Sequence, residues 1–191
     1  MIIFEIIFII GFGTLLALTY NWSFNNRLIG YFSAVNQSVW ERLKTLAVPM
    51  FLTMVLDFGS FGYLKNYWFA KFIAVVLALL LALGIMYLYK TFVKQTTLTH
   101  HVVSIAISAI YATLMFNNIL EMSALNLEIV GMVGLAIIFV MFALLTEFPL
   151  RNRLFIDPIT KKYGFGWTRE DLAKRYKKTK KVKVKKSARQ K

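Results

Sequence analysis

The chain has 191 residues, 58% of them hydrophobic and 17% charged, with a net charge of +14 and no cysteine. A soluble domain is about half apolar and about a quarter charged, so this composition points to the bilayer instead. The lack of cysteine excludes disulfides, thiolate nucleophiles and cysteine–metal sites, and leaves the redox compartment open.

Apolar runs of about 20 residues, the length that crosses a hydrocarbon core, recur at roughly 2–20, 46–64, 68–89, 102–120 and 127–145. The expected fold is an all-α integral membrane protein of about five transmembrane helices over 1–145. A packed segment, 146–167, and a basic, largely disordered tail, 168–191, follow. The first span carries Glu5, lacks a basic start and is longer than a cleaved apolar region, so it reads as part of the mature chain.

Between spans one and two lies the unusually polar stretch Asn36-Gln37-Ser38-Val39-Trp40-Glu41-Arg42-Leu43-Lys44. Ser38 and Glu41 have capping-box spacing, in which the hydroxyl takes the Glu41 N–H and the carboxylate reaches back to the Ser38 N–H. A helix starting near Ser38 then runs into span two, with Gln37, Glu41 and Lys44 close to one face. Trp40 reads as an interfacial anchor. Pro49 cannot donate to Thr45, which predicts a kink, and Asp57, Gly59 and Gly62 leave span two either continuous or broken.

Lys and Arg in the loops set the orientation. Arg27, Arg42 and Lys44 precede span two, and Lys90 and Lys94 follow span three. Residues 1–150 hold seven Lys/Arg against six Asp/Glu, whereas 151–191 hold sixteen against three. The expected arrangement places the N-terminus outside and the C-terminus in the cytoplasm of a multi-pass cell-membrane protein.

Ionisable residues in hydrocarbon face a bundle interior or a cavity. Glu5, Asp57, Lys71, Asn118 and Glu121 all fall in the outer half, and Ser104, Ser108, Tyr111 and Asn118 form a stripe on span four. They read as a polar cavity, or as a structural Asp57–Lys71 ion pair with Glu5 and Glu121 wet at the boundary. Lys71 leads the stripe Ala74, Ala78, Ala82, which lets helices approach closely. His100 and His101 are adjacent and diverge on a helix, so they make a poor metal pair; no metal site and no cofactor is expected. No phosphate loop, nucleophile elbow or dinucleotide fingerprint is present.

The lysine-rich tail suits anionic lipid headgroups, at about 1 kcal/mol per basic residue near the surface, or ribosomal RNA through phosphate contacts. It begins with a further helix-start pattern, Thr168 with Asp171.

The stretch 36–44 resembles the signature Asn-Glu-Ser-x-Trp-Glu-His-x-Lys of a family of small, uncharacterised prokaryotic membrane proteins. Asp157-Pro158-Ile159-Thr160-Lys161-Lys162-Tyr163-Gly164 resembles its closing Asp-Pro-x-Thr-Gly-x-Tyr-Gly segment. Gln37 stands where that family has Glu, and Arg42 where it has His. The resemblance implies a membrane fold and a cytoplasmic-face motif of Asn36, Gln37, Ser38, Trp40, Glu41, Arg42, Lys44 and Asp157, and names no reaction.

Three functions fit these residues. One is a non-enzymatic protein that binds or moves a small or lipid-like ligand, or supports a membrane complex with a protein partner or a second copy. Another is a lipid-modifying enzyme using Glu41, His100 or His101, and Asp157. The last is a ribosome or translocon tether acting through the tail.

Overall fold

The computed structural model describes residues 2–93, 97–168, 170 and 171. Its described residues form six helices: α1 (Ile2–Trp22), α2 (Arg27–Gly30), α3 (Val39–Phe61), α4 (Tyr67–Phe92), α5 (Leu98–Leu120) and α6 (Glu128–Glu147). All but the single turn α2 are long and apolar enough to cross a membrane. Among the described residues, the β structure is limited to isolated antiparallel bridges, Ile156 to Tyr163 and Tyr163 to Trp167. The fold is all-helical, and the chain is a multi-pass membrane protein.

Helices α1, α3, α4 and α5 form a ring in which α1 packs on α3 and α5, and α4 closes the other side on the same two. Helix α6 lies outside against α4 and meets α3 through Phe139 on Phe51 and Phe142 on Trp40. Helix α3 is innermost: 56% of its most apolar window is buried, against 17% for α1 and 22% for α6. That position lets the least apolar of the five long helices carry Glu41, Lys44 and Asp57, because these groups meet protein instead of lipid.

The helix that carries span two starts at Val39, where the capping spacing of Ser38 and Glu41 places it. Its cap is Ser38, whose hydroxyl takes the Glu41 N–H at 3.4 Å. The reciprocal half of the capping box is replaced, since the Ser38 N–H goes to Asn36 Oδ1 at 2.8 Å and leaves the Glu41 carboxylate for other partners. Pro49 does not break α3, which runs unbroken from Val39 to Phe61. The proline leaves the Thr45 carbonyl without its usual donor, and α1 covers it there. A Cβ on Gly13 would lie 2.7 Å from that oxygen, so only glycine allows this approach.

Along α4, Ala70, Ala74, Ala78 and Ala82 are all buried in the core, which brings α5 close. The outer helix uses the same device: a Cβ on Gly131 would strike the backbone of Trp68 and Phe69, and one on Gly134 the ring of Phe72. Gly131→Val is therefore expected to cost about 1–3 kcal/mol, the range for overpacking a close contact. Gly11→Val, on a face of α1 with nothing within 4 Å, should leave the detergent melting temperature nearly unchanged. Equal melting of the two variants would contradict the close α4–α6 seam.

Helices α3 and α5 begin, and α1, α4 and α6 end, at one end of the bundle. This is called the tail end here, because residues 148–167 fold across it. The other is the amino end.

Candidate functional site: a polar cleft at the tail end

At the tail end two segments more than a hundred residues apart close on each other. Asn36 Nδ2 donates to the Gly164 carbonyl at 2.9 Å, and the Trp40 N–H donates to the Leu154 carbonyl at 3.0 Å. The Trp40 ring sits between Phe142 and Phe155, with centroids 4.7 and 5.0 Å away. It thus packs inside protein more than it anchors at an interface. Phe155 and Tyr163 of the crossing segment are buried against it. Gly164 has φ +45°, and a Cβ there would strike the Thr146 carbonyl oxygen; glycine lets the segment sit down on the end of α6.

Under this crossing lies a buried ion pair. Lys44 Nζ donates to Glu41 Oε2 at 2.6 Å, to the Gly30 carbonyl at 2.7 Å and to Thr146 Oγ1 at 3.0 Å. All three ammonium donors are thereby met. Glu41 also accepts the Val35 N–H at 3.2 Å, and its Oε1 lies 3.0 Å from the Thr146 hydroxyl. The side chains of Lys44 and Glu41 are 0% and 2% exposed. The pair ties α3, α2, the 33–37 turn and α6 together. Glu41 therefore works as a structural carboxylate, and Gln37 does not join it. Nearby, Glu147 at the end of α6 pairs with Arg27 and accepts the Tyr31 hydroxyl at 3.2 Å.

Beside the pair opens a cleft of about 730 Å³. Its polar lining includes Asn36, Gln37, Arg42, His101, Asp157 and Lys162, and its apolar wall includes Ala17, Leu18 and Leu98. Arg42 Nη2 donates to Gln37 Oε1 at 3.2 Å, and its charge is felt by both Asp157 and His101. Gln37 and Arg42, the two residues that depart from the resembled signature, are thus bonded to each other. Asp157 spends its carboxylate on its own turn: Oδ1 accepts the Ile159 N–H at 3.0 Å and Oδ2 the Thr160 hydroxyl at 2.7 Å.

His101 is 2% exposed. Its Nε2 lies 2.9 Å from Thr45 Oγ1, and the Thr45 hydroxyl donates to the Arg42 carbonyl at 2.8 Å. With that one proton spent, the hydroxyl can only accept from the ring, so Nε2 carries the hydrogen and Nδ1 is left as an acceptor. Among the described residues Nδ1 has no hydrogen-bond partner. His100 turns away and caps the start of α5, with Nδ1 2.6 Å from Thr97 Oγ1.

At the amino end, Glu5, Asp57 and Lys71 come together. Lys71 Nζ donates to Glu5 Oε1 at 2.8 Å, pairs with Asp57 and lies 4.0 Å from the Phe116 ring centroid. Asp57 also accepts the Tyr67 hydroxyl. The space left here is about 10 Å³, at the limit of what one water needs. It is a packed ion-pair network, not an open chamber. Asn118 and Glu121 do not enter it: both are exposed at the end of α5. Ser104 and Ser108 are buried, whereas Tyr111 is exposed, so the stripe on α5 is split between core and lipid.

The sequence reading missed Thr45, Thr146, Gly30 and Gly164 as partners in the tail-end site. Gly164 stood inside a quoted motif, but a lone threonine at the end of an apolar span carries no signal. Thr168 and Asp171 form their reciprocal cap; the lysine-rich run 172–191 lies outside the described residues.

Among the described residues no group of three or more His, Cys, Asp or Glu could hold a metal ion. What the cleft offers is recognition: two cationic side chains, one carboxylate and several amide groups beside an apolar wall. No curated protein and no solved structure matches the chain. A family profile does match, over residues 1–165, and it spans both segments that build the cleft. The chain belongs to this family, a family of unknown function (DUF6512).

Proposed function

We propose that the protein binds a small or lipid-like ligand in the tail-end cleft. The observation that carries this reading is the closure of 36–44 onto 154–164 around a cleft of about 730 Å³ lined by Arg42, His101 and Asp157. A cleft of this size is in the range of small-molecule sites. It lies where helices end, so an amphipathic ligand can keep its polar part in the cleft and its apolar part along α1 and α5. The basic residues of the loops and of 151–191 support a cytoplasmic placement of this end in a cell membrane, by the positive-inside bias. Glu41, spent on Lys44, and Asp157, spent on its turn, weigh against the lipid-modifying enzyme that would use them.

Native mass spectrometry of the protein gently extracted from its membrane tests the reading. The wild type should carry a discrete small molecule or lipid. Ala17→Phe, which fills the cleft from α1, should lose it while melting like the wild type. Retention of the same adduct by a folded Ala17→Phe variant would place the ligand elsewhere.

A further inference from the structure

A second cavity lies on the α6 side of α3 and shares no lining residue with the cleft. Helix α6 packs tightly on α4, where Gly131 meets the backbone of Trp68 and Gly134 the ring of Phe72. Towards the tail end it reaches α3 through long side chains: Phe139 to Phe51 at 5.5 Å and Phe142 to Trp40 at 4.7 Å between ring centroids. A groove of about 360 Å³ is left between the two helices, with Val48 and Phe51 on one wall and Phe139, Phe142 and Ala143 on the other. Leu28, Tyr31 and Phe32, in and just after α2, complete the lining.

The groove is apolar but for Tyr31, whose hydroxyl donates to Glu147. Water there would lack the two or more polar partners that hold it, and an empty groove forfeits the dispersion contacts of its walls. Hydrocarbon answers both demands. The mouth opens sideways, since Leu28, Phe32 and Phe139 are all exposed. On α6, Phe139 adjoins Val140, Met141 and Leu144, which form part of the exposed apolar face of a membrane-crossing helix. The groove is thus continuous with the surface that lipid covers. A helix about 10 Å across fills roughly 400 Å³ per turn, so the groove holds less than one turn of a second copy's helix. A single extended chain is slim enough to enter.

We infer that the groove is a binding site for one acyl chain of a membrane lipid, and that this chain completes the seam between α3 and α6. The site selects hydrocarbon, not a headgroup, and it is separate from the ligand site of the tail-end cleft.

The test places the full chain in nanodiscs of phosphatidylcholine, part of which carries a photoactivatable diazirine on one acyl chain. Labelled residues are located by peptide mass spectrometry after irradiation. The comparison is made within α6 at one depth: Phe139, Phe142 and Ala143 line the groove, while Val140, Met141 and Leu144 face open bilayer. The groove residues should take about fourfold more label, the worth of burying one further methylene. Their label should saturate as the diazirine lipid is raised, whereas that of the others should rise in proportion. Moving the diazirine chain to phosphatidylglycerol should leave groove labelling nearly unchanged. Ala143→Phe, which fills the groove, should lose the saturable label at Val48 and Phe51. Ala17→Phe, which fills the cleft, should keep it.

Equal labelling of the two sets in the wild type, or groove labelling that never saturates, would overturn the site, and neither result depends on a variant folding. A strong preference of the groove label for one headgroup would overturn the selection of hydrocarbon. Groove labelling that falls when two copies share a nanodisc would assign the groove to a second copy instead of lipid. Loss of the groove label in a folded Ala17→Phe variant would overturn the separation of groove from cleft.

Discussion

Lys44→Met is expected to cost about 3–5 kcal/mol of stability, the usual penalty for stranding one member of a buried ion pair. The Glu41 carboxylate, 2% exposed, would keep only the Val35 N–H and the Thr146 hydroxyl, and no cation. The Gly30 carbonyl would lose its donor as well. The double variant Glu41→Gln/Lys44→Met removes both charges and should recover much of the loss, because replacing a whole buried pair is often close to neutral. Denaturant titration in mild detergent separates these cases. If the single and double variants unfold together, the pair is not the keystone that its geometry indicates.

Gly164→Ala should destabilise by about 2 kcal/mol or more, from two causes that add. A residue at φ +45° bears the left-handed penalty of about 1–2 kcal/mol, and the new Cβ must displace the Thr146 carbonyl oxygen. The segment 154–167 should lift, breaking the bond from Asn36 to the Gly164 carbonyl and exposing the 148–167 region to protease. Gly166→Ala is the matched comparison: its φ is +100°, yet nothing lies within 4 Å of an added Cβ. It should bear the backbone strain and keep the segment seated. Protease cutting that is no faster in Gly164→Ala than in Gly166→Ala would show that Gly164 does not hold the two segments together.

The spans were legible because lipid forces long apolar runs, and residue counting finds those. The start of α3 was legible too, since Ser38 and Glu41 have capping spacing. The fate of the Glu41 side chain was not. Local spacing offered it the Ser38 N–H, but burial favours a charged partner over a neutral one, and Lys44 stood one turn on. Likewise Asp57 and Lys71 were readable as polar residues in apolar helices. Their junction with Glu5 depends on how α1 leans on α3, which is set by Gly13 against the Thr45 carbonyl. Asn118 and Glu121 failed to join because the end of α5 turns them outward. The cleft itself was out of reach of sequence. It arises where Asn36 meets Gly164, a pairing fixed by tertiary packing alone, although each partner lay inside a motif the sequence had already marked.

The central claim is that a ligand occupies the cleft between these segments, and the chain is well suited to a direct test because it has no native cysteine. A single cysteine at Thr160, on the cleft lining, can be compared with one at Ile159, which is 68% exposed and outside the lining. Maleimide labelling rates are measured on protein that retains its native lipid and again after exhaustive delipidation. Labelling of Thr160→Cys should be slow with lipid and rise severalfold after its removal, while Ile159→Cys labels at one rate throughout. Unchanged labelling at residue 160 would contradict an occupied cleft.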